Sequence, residues 1–228
     1  MNDAICLLSG GQDSTTALFW AKEKFDNVHA VIINYGQRHI IEIESAKKIA
    51  TLANVDHTEI SIPFFKEIGN SALLNSEDVN SSHNSNSKLP ASFVPGRNLI
   101  FITVAAMLAY KMGFKNIVTG VCETDFSGYP DCRRSTMDSL EETIERGMEF
   151  KGIEIHTPLM SIDKAETVHL AETFDGCFDA LAFSHTCYKG EYPPCMHCPS
   201  CLLRIAGFEK AGIVDPLLWR SQYESKSN

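Results

Sequence analysis

Ala4-Ile5-Cys6-Leu7-Leu8-Ser9-Gly10-Gly11-Gln12-Asp13-Ser14 decides the fold. The first five residues form an apolar run of the kind that makes a buried strand. Ser14–Phe25, which follows, reads as a helix. A glycine pair at a strand-to-helix junction lets backbone N–H groups approach an anion with no side chain in the way. The helix N-terminus adds free N–H donors and a partial positive charge. Ser9 and Ser14 bring hydroxyls, and Asp13 suits holding a metal ion or fixing the turn. This is chemistry for gripping the phosphate chain of a nucleotide.

A P-loop needs a lysine at the helix start, and none follows these glycines; a GxGxxG fingerprint is also missing. The hexapeptide Ser9–Ser14 instead resembles the pyrophosphate loop of the ATP pyrophosphatase superfamily, whose pattern is SGGxDS.

The chain has 228 residues, 44% hydrophobic and 21% charged, enough for one well-buried domain. No apolar stretch is long enough to span a bilayer, and Met1-Asn2-Asp3 leads straight into a strand, so a cytoplasmic protein without a signal peptide or membrane partner is expected. The formal net charge of -9 argues against stable binding of nucleic acid, which depends on Lys and Arg neutralising phosphates.

Strands are predicted at Ala4–Leu8, Val28–Asn34, His57–Ile62, Asn116–Val121 and Ile153–Thr157. Helices are predicted at Ser14–Phe25, Arg38–Leu52, Asn98–Met112, Arg134–Phe150 and Lys164–Thr173, the last opened by a capping box of Asp163 and Glu166. This alternation implies right-handed βαβ units: an α/β fold with an open, mainly parallel twisted sheet covered by helices on both faces. Ligands of such sheets bind beyond the carboxyl ends of the strands, where the glycine loop lies. Residues 1–180 are expected to form this domain, with a mobile Asn/Ser-rich loop near 75–90. Residues 181–220 should form a four-cysteine subdomain, and 221–228 a frayed tail.

Four of the eight cysteines, Cys187, Cys195, Cys198 and Cys201, crowd into a short span and supply enough thiolates for one tetrahedral Zn²⁺. Pro193, Pro194 and Pro199 stiffen the turns between them. Structural zinc is the favoured reading; an iron–sulfur cluster or a catalytic or sulfur-carrying thiol pair are the alternatives, and His185 or His197 could replace one cysteine as ligand.

Four further segments put polar residues beside glycine and proline after strands or at helix starts: Tyr35–His39, Phe93–Asn98, Glu123–Arg133 and Thr157–Lys164. Arg97 and Lys164 suit phosphate, Arg38 and Arg133 a substrate carboxylate, and Asp131 an amino or ring N–H group.

With these segments the chain resembles the 7-cyano-7-deazaguanine synthase family over nearly its whole length. The carriers are SGGQDS at Ser9–Ser14, YGQRH at Tyr35–His39, VPGRN at Val94–Asn98, SGYPDCR at Ser127–Arg133, and the cysteine cluster. The resemblance implies an adenine nucleotide alpha hydrolase-like fold and an ATP-dependent ligase of queuosine biosynthesis. That enzyme converts 7-carboxy-7-deazaguanine and ammonia to the nitrile. It implies an ATP site over Leu8, Ser9, Gly10, Gly11, Gln12, Asp13, Ser14, Thr15, Thr16, Ala17 and Leu18, with Mg²⁺. Asp13, Arg97 and Lys164 would act in catalysis, and Tyr129, Asp131 and Arg133 would lie at the deazapurine with Arg38. It also implies zinc at the four cysteines and a homodimer. The rival reading is a tRNA-thiolating or other amidating ATP pyrophosphatase whose cysteines serve sulfur transfer or hold an iron–sulfur cluster.

Overall fold

The computed structural model describes residues 2–37, 40–68, 71, 73–74, 82–83, 86–90, 92–124 and 129–227. Five strands form a parallel sheet: β1 (Asp3–Leu7), β2 (Asn27–Asn34), β3 (His57–Ser61), β6 (Asn116–Val118) and β7 (Glu154–His156), in the order β3-β2-β1-β6-β7. A separate antiparallel pair joins β4 (Ser82–His83) to β5 (Asn86–Pro90). This pair occupies part of the segment expected to be a mobile loop; residues 75–81, 84 and 85 of that segment lie outside the described residues.

β1 is central because both of its faces are apolar. Cys6 stands opposite Ala30 of β2 on one side and Val118 of β6 on the other. Successive strand residues alternate between faces, and the core divides accordingly. Ile5, Val31, Ile33 and Ile117 pack with Ile102, Ala105, Ala106 and Ala109 of α4 (Arg97–Met112) and with Met137 and Ile144 of α5 (Arg134–Gly147). Ala4, Cys6, Leu8, Ala30 and Ile32 face the other way. They pack on Ala17, Leu18 and Ala21 of α1 (Gln12–Lys24) and on Ala46, Ile49 and Ala50 of α2 (Ile41–Leu52). The doubly wound sheet expected from the alternation is therefore present.

Further helices complete the chain, some expected and some not. A short α3 (Phe65–Ile68) follows β3, and α6 (Lys164–Glu172) opens with the expected capping box, Asp163 Oδ1 accepting from the N–H groups of Ala165 and Glu166. Beyond it come α7 (Cys177–Leu181), α8 (Pro199–Ala211) and α9 (Pro216–Ser227). α9 runs through the stretch expected to fray from Ser221, whose side chain is buried and whose hydroxyl donates to the Leu218 carbonyl.

A buried ion pair ties these helices together. Arg204 of α8 donates through Nε and Nη2 to the two oxygens of Asp215 at 2.6 and 2.8 Å, and through Nη1 to the Ser184 hydroxyl at 2.7 Å. Two-point guanidinium–carboxylate bonding satisfies both charges away from water. Among the described residues, no helix is long and apolar enough to cross a membrane.

Candidate active site

The chain leaves β1 toward β2 and β3, then returns to β6 on the opposite side, so a crevice opens beyond the carboxyl ends of β1 and β6. A cavity of about 300 Å³ occupies it. The predicted strand Asn116–Val121 stops at Val118, and Thr119-Gly120-Val121 turn into the cavity wall. A Cβ on Gly120 would lie 2.8 Å from the backbone carbonyl of Asp13, so only glycine lets this turn pass the loop after β1.

Gly10 adopts φ +84, and a Cβ there would sit 2.4 Å from the Glu42 carbonyl oxygen. The loop is thus pressed against α2, in a conformation that side chains avoid. Gly11 is the N-cap of α1 and carries no capping side chain, an arrangement that suits an anion at the helix start. The Ser9 hydroxyl donates to Ser14 Oγ at 3.0 Å, and the Ser14 hydroxyl donates to the Gly11 carbonyl at 3.1 Å, closing the turn on itself. Leu8, Ser9, Gly11, Gln12, Asp13 and Ser14 line the cavity. Thr15, Thr16, Ala17 and Leu18 are buried along α1 and support the loop from within.

Lys164, at the start of α6, reaches back to this loop. Its Nζ donates to both carboxylate oxygens of Asp13 at 2.7 Å. The lysine is packed from behind by Gly207 of α8, where a Cβ would come within 2.4 Å of Lys164 Cγ. Gly207, like Gly120, is a site glycine that sequence reasoning missed; neither belongs to a local glycine pattern.

The cavity lining is also aromatic. Tyr35, Phe101, Tyr129 and Tyr188 line it with Arg97 and Glu42. The Arg97 guanidinium lies 5.9 Å from the Tyr35 ring centre and 5.8 Å from that of Tyr129. Burial works against its charge, but Tyr35, Tyr129, Tyr188 and Asp131 together hold Arg97 above its ordinary pKa, so it stays a cation. Burial pushes the Glu42 carboxyl up to about 7, with Arg97 pulling the other way. Glu42 was not anticipated. It stands in the first turn of α2, where an acidic residue reads as a dipole partner.

The SGYPDCR segment divides on folding. Tyr129 lines the cavity and shares a 2.6 Å hydrogen bond with the Ser92 hydroxyl. Asp131 is buried at the start of α4, where Oδ2 accepts from the Asn98 N–H at 3.0 Å. It thereby caps a helix whose own N-cap, Gly96, has no side chain to do so. Its Oδ1 has no hydrogen-bond partner. Burial drives the Cys132 thiol up to about 12, which makes it a packing group. Arg133 is exposed and outside the cavity lining. Arg38, Ser127 and Gly128 lie outside the described residues.

The four cysteines converge. The Sγ atoms of Cys187, Cys195, Cys198 and Cys201 all lie within 4.8 Å of one another. Cys195 Sγ and Cys201 Sγ are 3.9 Å apart, close to the ~3.8 Å edge of a tetrahedron with metal–sulfur bonds of about 2.3 Å. The backbone N–H groups of Cys195 and Cys198 point at Cys187 Sγ and Cys195 Sγ, at 3.5 and 3.3 Å. The hydrogen bond between the two thiols pulls Cys198 below the ordinary cysteine range and pushes Cys201 above it, the two sharing one proton. The donor set therefore fits a metal ion. His185 does not join it: its Nε2 pairs with the Cys187 carbonyl oxygen at 3.1 Å, while the ring of His197 pairs with the Cys195 carbonyl oxygen.

This knot is also a wall of the cavity. The His185 N–H donates to the Gly10 carbonyl at 2.7 Å, and Thr186, Ser200, Leu203 and Arg204 line the space beside the glycine loop. The Thr186 hydroxyl and the Gln12 side-chain amide nitrogen are buried there without hydrogen-bond partners. Such groups usually find partners, and in a cavity the partner is a ligand or water.

The family described as queuosine biosynthesis protein QueC matches residues 3–212. A 7-cyano-7-deazaguanine synthase of Chromobacterium violaceum is 50% identical over 226 residues, 98% of this chain and 96% of its own. One from Laribacter hongkongensis is 50% identical over 218 residues, 95% of this chain and 94% of its own. Among solved structures, a 4-thiouridine synthetase in complex with RNA and ATP superposes with a TM-score of 0.53 at 14% identity, over 97% of this chain and 53% of its own; that likeness concerns the fold alone.

Proposed function

The chain belongs to the queuosine biosynthesis protein QueC family, and from that premise we propose that it makes 7-cyano-7-deazaguanine from 7-carboxy-7-deazaguanine, ammonia and ATP. The observation that carries this reading is the mixed lining of one cavity. A glycine loop and helix start suited to phosphate share its wall with aromatic side chains suited to a flat heterocycle.

The chemistry needs both features. A carboxylate does not expel oxide, so its oxygen first attacks the α-phosphorus of ATP, releasing pyrophosphate and forming an acyl adenylate. Ammonia adds to the carbonyl carbon and AMP departs, leaving the amide after loss of a proton. The amide oxygen then takes a second adenylyl group, and loss of AMP and the remaining N–H protons gives the nitrile. Neither step asks for a protein nucleophile, which agrees with the unreactive Cys132. The protein aligns the reactants and stabilises charge on the leaving phosphates. The glycine-loop amides hold the polyphosphate, and Arg97 and Lys164 supply positive charge. Asp13 orients Lys164 and would help hold the Mg²⁺ that accompanies ATP, a cation that would neutralise charge on the phosphates. Tyr129 stacks on the deazapurine.

Zinc is the metal we assign to the four cysteines, in a structural role, because four thiolate donors leave no open position. We also assign the protein to the cytoplasm, as a homodimer. Incubation with 7-carboxy-7-deazaguanine, ammonium and Mg-ATP should yield the nitrile by mass spectrometry. Failure of a folded, metal-replete sample to do so refutes the reading.

A further inference from the structure

We propose that Glu42 is the specificity-determining acceptor for the guanine-type edge of the substrate, taking its ring N–H and the adjacent exocyclic amino group. This rests on the deazapurine reading above.

A guanine-type ring presents two parallel N–H donors on one edge. An ionised carboxylate matches them with two acceptor oxygens. Asp13 and Glu42 are the carboxylates among the described residues that line the cavity. Asp13 is engaged by Lys164 through both of its oxygens. Asp131, the acidic residue nearest in sequence to Tyr129, is spent on capping α4 and lies behind the wall. Glu42 is left, and it lines the same cavity as Tyr35, Tyr129 and Tyr188, rings over which a flat base can stack.

The local fold explains why it points there. The Glu42 carbonyl abuts Gly10, which pins the first turn of α2 against the glycine loop. Glu42 sits electrostatically close to Tyr35, Tyr188 and Arg97. Two substrate N–H donors would favour the ionised carboxylate, with the Arg97 charge acting in the same direction. An aliphatic residue at this position would leave both substrate donors without an acceptor, which costs specificity.

The test compares 7-carboxy-7-deazaguanine with its analogue lacking the exocyclic amino group, in wild type and in Glu42→Gln. Wild type should prefer the amino-bearing substrate by about 100-fold in kcat/KM. Glu42→Gln should lose most of that preference, to below about 5-fold, with its affinity for Mg-ATP unchanged. If wild type forms the nitrile but accepts both substrates equally, the assignment of Glu42 is overturned, whether or not the variant folds. It is equally overturned if Glu42→Gln keeps the full preference. If wild type forms no nitrile at all, the enzymatic reading itself is what fails.

Discussion

Lys164 Nζ holds both carboxylate oxygens of Asp13 at 2.7 Å, joining residues 151 positions apart in the chain. The lysine side chain is 9% exposed and the aspartate 33%. The pair bridges α6 and α1 beside the glycine loop, so it sets where a positive charge stands relative to the start of α1. Asp13→Asn keeps the shape of the side chain and removes its charge. Turnover should fall by at least about 100-fold, whereas the melting temperature should move by only a few degrees. Steady-state kinetics and a thermal melt separate the two effects.

Gly207 tests the same lysine from behind. A Cβ in Gly207→Ala meets Lys164 Cγ at 2.4 Å and Cβ at 2.9 Å, so the lysine must shift. Overpacking of this kind costs about 1–3 kcal/mol. The ammonium should move off Asp13, with kcat lowered about 10-fold or more. Gly147→Ala is the control: nothing lies within 4 Å of its added Cβ, and an alanine in α5 should stabilise by up to about 1 kcal/mol with activity unchanged. Equal kinetics for the two variants would contradict this account of Lys164.

Cys198 is both a metal ligand in the proposed set and the N-cap of α8. Cys198→Ser should lower metal content well below one ion per chain, as read by elemental analysis. Because metal binding is coupled to folding of the site, the variant should also melt earlier. The His185 bond to Gly10 extends that loss to the glycine loop, so affinity for Mg-ATP should decline before the parallel sheet unfolds.

The side chains of Arg204 and Asp215 are both 4% exposed. Removing one partner strands the other charge in the interior, at a cost of about 3–5 kcal/mol. Asp215→Ala should therefore destabilise strongly in urea melts. Replacing both by apolar residues should recover much of the loss, since no uncompensated charge then remains.

Glu42 makes the ligand-free protein pH-sensitive in a defined direction. Its carboxyl titrates at about 7 in the folded protein against an ordinary value of 4.5, with burial outweighing the attraction of Arg97. The folded state then binds the proton more tightly than the unfolded chain. The contribution of Glu42 is fully present below about pH 4.5 and is lost as pH rises through 7. Glu42→Gln should raise the melting temperature of the ligand-free protein at pH 8, and the gain should vanish near pH 4.5. A constant difference across this range would exclude the shift.

The doubly wound sheet was legible because its signals are local. Ala4–Leu8 is apolar throughout, as a strand covered on both faces must be, and the capping box at Asp163 declares the start of α6 within four residues. The cysteine cluster is equally local, and its four thiols do meet. Harder to read were groups whose meaning depends on distant chain. Gly120 and Gly207 are required by Asp13 and Lys164, far away in sequence. Asp131 reads as a ligand for substrate until the start of α4 arrives to be capped by it.

Sequence alone therefore determined the architecture, the glycine loop and the thiol donor set, since each is specified by hydrophobic period, glycine placement or spacing within a short segment. Only the tertiary structure decided which charged side chains meet in the cavity. Asp13, Glu42, Arg97 and Lys164 come from four separate elements, and their approach depends on strand order and on the packing of α8 against α6. Charges interact through space over a few ångströms, and no local pattern in the chain records that distance.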